Sequence, residues 1–108
     1  MPLHNGKKNE RLVCADRFSM SVQAGFGHYC NPRNDSGPYK QVEVGFPSEK
    51  EEMLMDYADQ PHAPTRSIYG WVPVSVVTLV IAKHGGVISG ELPPGIPMLR
   101  AEDIDGRD

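Results

Sequence analysis

The stretch from Pro73 to Gly86, PVSVVTLVIAKHGG, decides whether the chain is α+β. Its β-branched residues (Val74, Val76, Val77, Thr78, Val80, Ile81) favour a strand. Its punctuation favours a helix. Pro73 stands at a first helical position, where a missing N–H costs nothing. Lys83 and His84 fall in the last turn, and Gly85-Gly86 supplies the stop. Ser75, Thr78 and Ala82 form a small-residue stripe at helical spacing. The punctuation predicts a helix over residues 74–84. Such a helix is apolar on most sides, so it belongs in the core or on an oligomer seam.

Outward from this helix, the patterns are those of strands. Residues 18–24 alternate Phe18, Met20, Val22 and Ala24 with Ser19, Ser21 and Gln23, the clearest period-two pattern in the chain. Residues 39–46 alternate again, with Val42 and Val44 opposite Gln41 and Glu43. A punctuated loop over 25–38, rich in Gly, Pro, Asn and Asp, joins the two and predicts an antiparallel pair. Residues 11–15 form a short stretch that is apolar in the middle (Leu12, Val13, Cys14), and residues 66–72 and 87–89 read as further short strands. Ser48 and Glu51 have capping-box spacing, and Met53, Leu54, Tyr57 and Ala58 follow at helical intervals. This predicts a short helix over 49–58 with Glu51-Glu52 on its solvated face; the alternative is a strand over Met53–Tyr57 pairing with the one before. Pro93, Pro94, Gly95 and Pro97 then forbid regular structure. The expected organisation is a flexible segment over 1–10, one domain over 11–89, and a Pro-rich acidic tail over 90–108. The expected fold class is α+β: a small antiparallel sheet packed against one main C-terminal helix, with long Gly/Pro-rich loops and extended tails.

Composition narrows the function classes. The chain has 108 residues, of which 11 are Gly and 10 are Pro, well above the usual combined share of about 12%. The longest apolar run falls short of the ~20 residues a bilayer span needs, so no membrane partner is expected. No basic, then apolar, leader opens the sequence. With two cysteines and no leader, a cytoplasmic location in a bacterial host is expected. Net charge is −3, which disfavours direct binding to nucleic-acid backbones.

No catalytic grammar emerges, and the expectation is a protein that is not an enzyme and uses no cofactor. Cys14, His28 and Cys30 are weak candidates for soft-metal ligation. Their spacing is not that of a zinc pair, and the competing reading is two small apolar thiols. A Cys14–Cys30 bond is a further alternative. A Cys30 nucleophile served by His28, His62 or His84 lacks any local group to depress the thiol pKa. Gly25-Phe26-Gly27 lacks the third glycine and the strand–turn–helix setting of a phosphate loop. The most informative residues are aromatic and basic. Phe26, Tyr29, Arg33 and Tyr39 lie in or beside the long loop, and Tyr69 and Trp71 lie on a predicted strand. These residue types dominate interface hot spots, and all six are candidates for partner binding. The competing reading is that Tyr69 and Trp71 complete the core.

Several strings, CADRFSMSVQA from Cys14, YCNPR from Tyr29, GPYKQVEVGFPS from Gly37, YGWVPV from Tyr69 and KHGG from Lys83, resemble small accessory proteins encoded by bacteriophages and prophages. The resemblance covers residues 14–86 and leaves both ends outside it. It implies an accessory role and transfers no functional residue. The expected function is that of a phage-derived binding protein that inhibits or modulates a host protein complex, such as a CRISPR effector. The alternative is an oligomeric sponge for a small ligand or nucleotide.

Overall fold

Alternating strands of half-polar residues need one shared apolar face, and a computed structural model, describing residues 8–105, shows how they obtain it. Five strands form one antiparallel sheet: β1 (Leu12–Cys14), β2 (Ser19–Gln23), β3 (Gln41–Gly45), β4 (Ile68–Pro73) and β5 (Val87–Ser89). Their order across the sheet is β4-β3-β2-β1-β5. Two 3₁₀ helices, Glu52–Tyr57 and Pro64–Arg66, separate β3 from β4. Helix α1 (Val74–Lys83) follows β4 directly, and a short helix α2 (Ala101–Asp105) follows β5. The class is therefore α+β. The main helix is not C-terminal, because β5 and α2 come after it. Among the described residues, no helix is long and apolar enough to cross a membrane.

One hydrophobic cluster joins these elements. Leu12, Met20, Val22, Val42, Val44, Tyr69 and Val72 from the strands meet Leu54 of the first 3₁₀ helix and Val77, Val80 and Ile81 of α1. One side of α1 is thus buried within its own chain, through Val77, Val80 and Ile81, while Leu79 stays exposed. Both sheet edges are covered. On β4, Ala58 bridges to Tyr69 and the Asp59 N–H donates to the Ile68 carbonyl (2.9 Å). On β5, the Val87 N–H donates to the Leu99 carbonyl (2.9 Å). Covered edges suppress unwanted strand pairing.

Described residues on either side of the 11–89 stretch also touch the sheet and its core. Of the segment 1–10, residues 1–7 lie outside the described residues; Asn9 is tied to β2 through both polar ends of the Gln23 side chain. After β5, prolines do prevent strands, but they do not prevent burial. Ile96 is buried, Leu92, Met98 and Leu99 pack against the core, and the chain forms α2 instead of a continuous extended tail.

The predicted helix over 49–58 is also corrected. A 3₁₀ helix begins only at Glu52, and Ser48 does not cap it. The Ser48 hydroxyl instead accepts the Ser19 N–H (2.9 Å). Glu51 is the cap, its carboxylate accepting the Met53 N–H (3.0 Å). Far from a solvated face, Glu51 is only 2% exposed.

That burial is explained by the partners of Glu51. Its Oε1 lies 2.6 Å from His84 Nε2, and its Oε2 lies 2.8 Å from Lys83 Nζ. The other ring nitrogen, His84 Nδ1, is 2.6 Å from Asp16 Oδ2. Phe18 stacks on the imidazole at 4.0 Å between ring centroids. The helix end presents His84 at this point. Gly85 and Gly86, both at φ +90°, donate to Ala82 and Ile81 carbonyls in a paired closing motif that leaves His84 as the C-cap. A neutral imidazole has one N–H and one lone pair. Against two carboxylates it would set that lone pair against an anion, so the geometry selects the imidazolium. The helix C-terminus adds to the preference for positive charge.

Titration of this cluster has a definite sign. Burial opposes charging of His84, and the hydrogen bonds to Glu51 and Asp16 outweigh it, so its pKa lies above the usual 6.5. Burial likewise penalises the Glu51 anion, but donors from Lys83, Met53 and His84 hold its pKa below the usual 4.5. A raised histidine pKa gives stability that is complete below 6.5 and lost as pH climbs through the folded value. A depressed carboxyl pKa gives stability that is complete above 4.5 and lost on acidification. The cluster's contribution is therefore expected to be greatest between pH 4.5 and 6.5. Urea midpoints measured across pH test this. His84→Leu should destabilise by about 3 kcal/mol and flatten the alkaline decline. A variant with the wild-type pH profile would contradict the assignment.

Candidate functional site: an aromatic cleft at a strand bulge

The site begins with a break in strand period. Regular alternation along β4 would place Tyr69, Trp71 and Pro73 on one face. The pairing with β3 prevents this. Val42 faces Val72 and Val44 faces Tyr69, so Gly70 and Trp71 together oppose the single residue Glu43. This is a β-bulge, a device that bends a strand and re-aims a side chain. Trp71 adopts φ +50°, in the left-handed region, which costs a non-glycine residue on the order of 1 kcal/mol. As a result Tyr69 and Val72 are both fully buried, and Trp71 is 49% exposed.

The long loop supplies the second ring. Freed from the ladder, the Trp71 N–H donates to the Tyr29 carbonyl (3.0 Å). The Tyr29 N–H donates to Glu43 Oε1 (3.0 Å), and Glu43 Oε2 lies 3.3 Å from His28 Nδ1. Glu43, the residue facing the bulge, therefore pins the loop over it. The Tyr29 and Trp71 rings lie 4.9 Å apart, tilted by 30°. Gly70 permits the approach, since a Cβ there would sit 3.2 Å from the Tyr29 Cβ.

The third wall is the end of the first 3₁₀ helix, laid along the edge of β4 by the Ala58 and Asp59 backbone contacts. Together Tyr29, Tyr57, Ala58, Asp59, Ile68, Gly70 and Trp71 line a cleft of about 490 Å³. Among the described residues, Asp59 is its only carboxylate and no lysine, arginine or histidine lines it.

The other candidates are distributed as follows. Phe26 is 67% exposed, and the Arg33 guanidinium lies 5.8 Å over its ring while Arg33 Nε donates to the Phe26 carbonyl (2.8 Å). These two form a separate surface pair on the same loop. Tyr39 and Tyr69 belong to the core. The Tyr39 hydroxyl donates to the Asn34 carbonyl (2.7 Å) and that of Tyr69 to Pro64 (2.6 Å). Of the six partner-binding candidates, these two side chains are buried, whereas Phe26, Tyr29 and Trp71 are exposed. Cys14 and Cys30 are separate buried thiols. Burial and the Asp16 charge push the Cys14 thiol up to about 11, far from an activated nucleophile. Cys30 Sγ donates to the Gly25 carbonyl (3.1 Å). His28 is engaged with Glu43. Among the described residues, no group of three or more His, Cys, Asp or Glu is arranged to hold a metal ion. Sequence reasoning missed Glu43, Tyr57, Asp59 and Gly70. Only Gly70, a glycine inside a strand pattern, carried a signal for a bulge.

Comparison with protein-family models, curated proteins and solved structures returns no match. The reading of the cleft accordingly rests on its own chemistry.

A buried tryptophan loses about 3–5 kcal/mol on truncation. At Trp71 the loss of the ring contact, about 1 kcal/mol, is offset by relief of the left-handed backbone, on the order of 1 kcal/mol. Trp71→Gly should therefore change stability by less than about 1 kcal/mol in urea titration. A loss of several kcal/mol would assign Trp71 to the core.

Proposed function

We propose that the protein is a non-enzymatic binding module whose docking surface is the Tyr29–Trp71 face of the cleft. The observation that carries this reading is Trp71 itself. It is the chain's single tryptophan, held half-exposed against another aromatic ring by a backbone conformation that costs energy. Strain of this kind persists where the surrounding structure enforces it, and it concentrates at binding sites. Large aromatics that are rigid and part-exposed are the usual anchors of protein interfaces.

The resemblance to phage accessory proteins extends the proposal to the partner, a host protein complex that the module occludes. A net charge of −3 suits competition for a basic, nucleic-acid-binding surface. A nucleotide sponge is less well supported, because among the described residues the charged group lining the cleft is Asp59, which repels phosphate.

Capture from a bacterial host lysate tests the proposal, with wild-type protein and the Trp71→Gly variant side by side. Wild type should retain a discrete complex and weaken that complex's binding to nucleic acid. Trp71→Gly should reduce retention at least about tenfold, the scale of an interface hot spot. Failure of wild type to retain any complex, or equal retention by the variant, would overturn the reading.

A further inference from the structure

The composition of the cleft points to what it takes. We propose that it receives an arginine side chain presented by a protein partner, an inference that rests on the docking reading above and adds the partner's chemistry. Trp71 and Tyr29 pack against each other at 4.9 Å, and the half-exposed remainder of each ring borders the cleft together with a third aromatic, Tyr57. Aromatic faces carry negative quadrupole density and attract cations. Asp59 supplies formal negative charge on the same cleft. Its backbone N–H is fixed to Ile68. Its carboxylate has no hydrogen-bond or ion-pair partner among the described residues. The other carboxylate near the bulge, Glu43, is already engaged by His28 and the Tyr29 N–H, so Asp59 is the one available to a ligand there.

Guanidinium fits this combination better than ammonium. It is planar and stacks on an aromatic face, and its fork of N–H donors matches a carboxylate edge-on. Attachment to a protein is favoured over a free small cation by the surroundings. The cleft is open and lies beside the half-exposed rings of Tyr29 and Trp71, which offer area to residues flanking an inserted side chain. The chain's negative charge also suits the basic surface on which such an arginine would lie.

The test is a nitrogen–proton NMR titration of the full chain with the capped peptide Gly-Gly-Arg-Gly-Gly. The Trp71 indole N–H, unique in this chain, is the reporter, and the Asp59 and Gly70 amides are the second readout. The arginine peptide should shift all three saturably. The same peptide with neutral citrulline should bind about tenfold more weakly, as should the arginine peptide to Asp59→Asn. Asp59 is exposed and its side chain has no partner among the described residues, so Asp59→Asn should keep the wild-type urea midpoint. Equal binding of the two peptides, shifts confined to other acidic surfaces, or tighter binding of tetramethylammonium than of the peptide would each overturn the inference. A partner complex that is lost with Trp71→Gly but held equally by Asp59→Asn would overturn it too, while leaving the docking reading in place.

Discussion

The structure depends on one buried cation held between two carboxylates. His84 ends α1, Asp16 sits in the turn between β1 and β2, and Glu51 caps the first 3₁₀ helix. Their meeting point therefore joins three segments far apart in sequence. With Lys83 added, two cations face two anions, so the cluster is neutral as a whole. Neutrality is what makes the burial of Glu51 tolerable, since an unpaired buried carboxylate would cost several kcal/mol. The stacked ring of Phe18 covers the imidazole without taking either hydrogen bond away.

This constraint reaches the cleft through a short path. Glu51 fixes the start of the 3₁₀ helix, and the far end of that helix delivers Tyr57, Ala58 and Asp59 to the edge of β4. The opposite wall is fixed independently, by Glu43 holding Tyr29 across the bulge. Two carboxylates in different roles thus brace the two sides of one surface. The cost is borne at Trp71, whose backbone is strained and whose ring stays half-exposed. A protein shaped only for stability would place glycine there and turn a large apolar ring inward. That imbalance is what the proposed docking role of the cleft rests on.

Much of the fold was legible in the sequence. The alternations around Met20 and Val42 correspond to β2 and β3, and the Gly85-Gly86 stop closes α1 by the expected hydrogen bonds. What stayed hidden was long-range. Glu51 carried a local capping pattern with Ser48, and that pattern lost to partners more than thirty residues away, at Lys83 and His84. The prolines after Gly90 correctly excluded strands, yet Ile96 and Leu99 still found the core. In the site, Tyr29 and Trp71 were visible as residue types, whereas Tyr39 and Tyr69 looked the same and are buried. The difference between them lies in the register shift opposite Glu43, which no window of neighbouring residues encodes. Asp59 was silent for a similar reason: its importance comes from what the bulge places beside it.

The most direct measurement of the central claim is the nitrogen-15 NMR spectrum of the His84 ring between pH 4.5 and 6.5. Two hydrogen bonds to carboxylates require both ring nitrogens to carry protons, so both should resonate in the protonated range, each coupled to its own hydrogen. A neutral ring, with one bare nitrogen, would show that the buried imidazolium does not exist and that the three segments are held together in some other way.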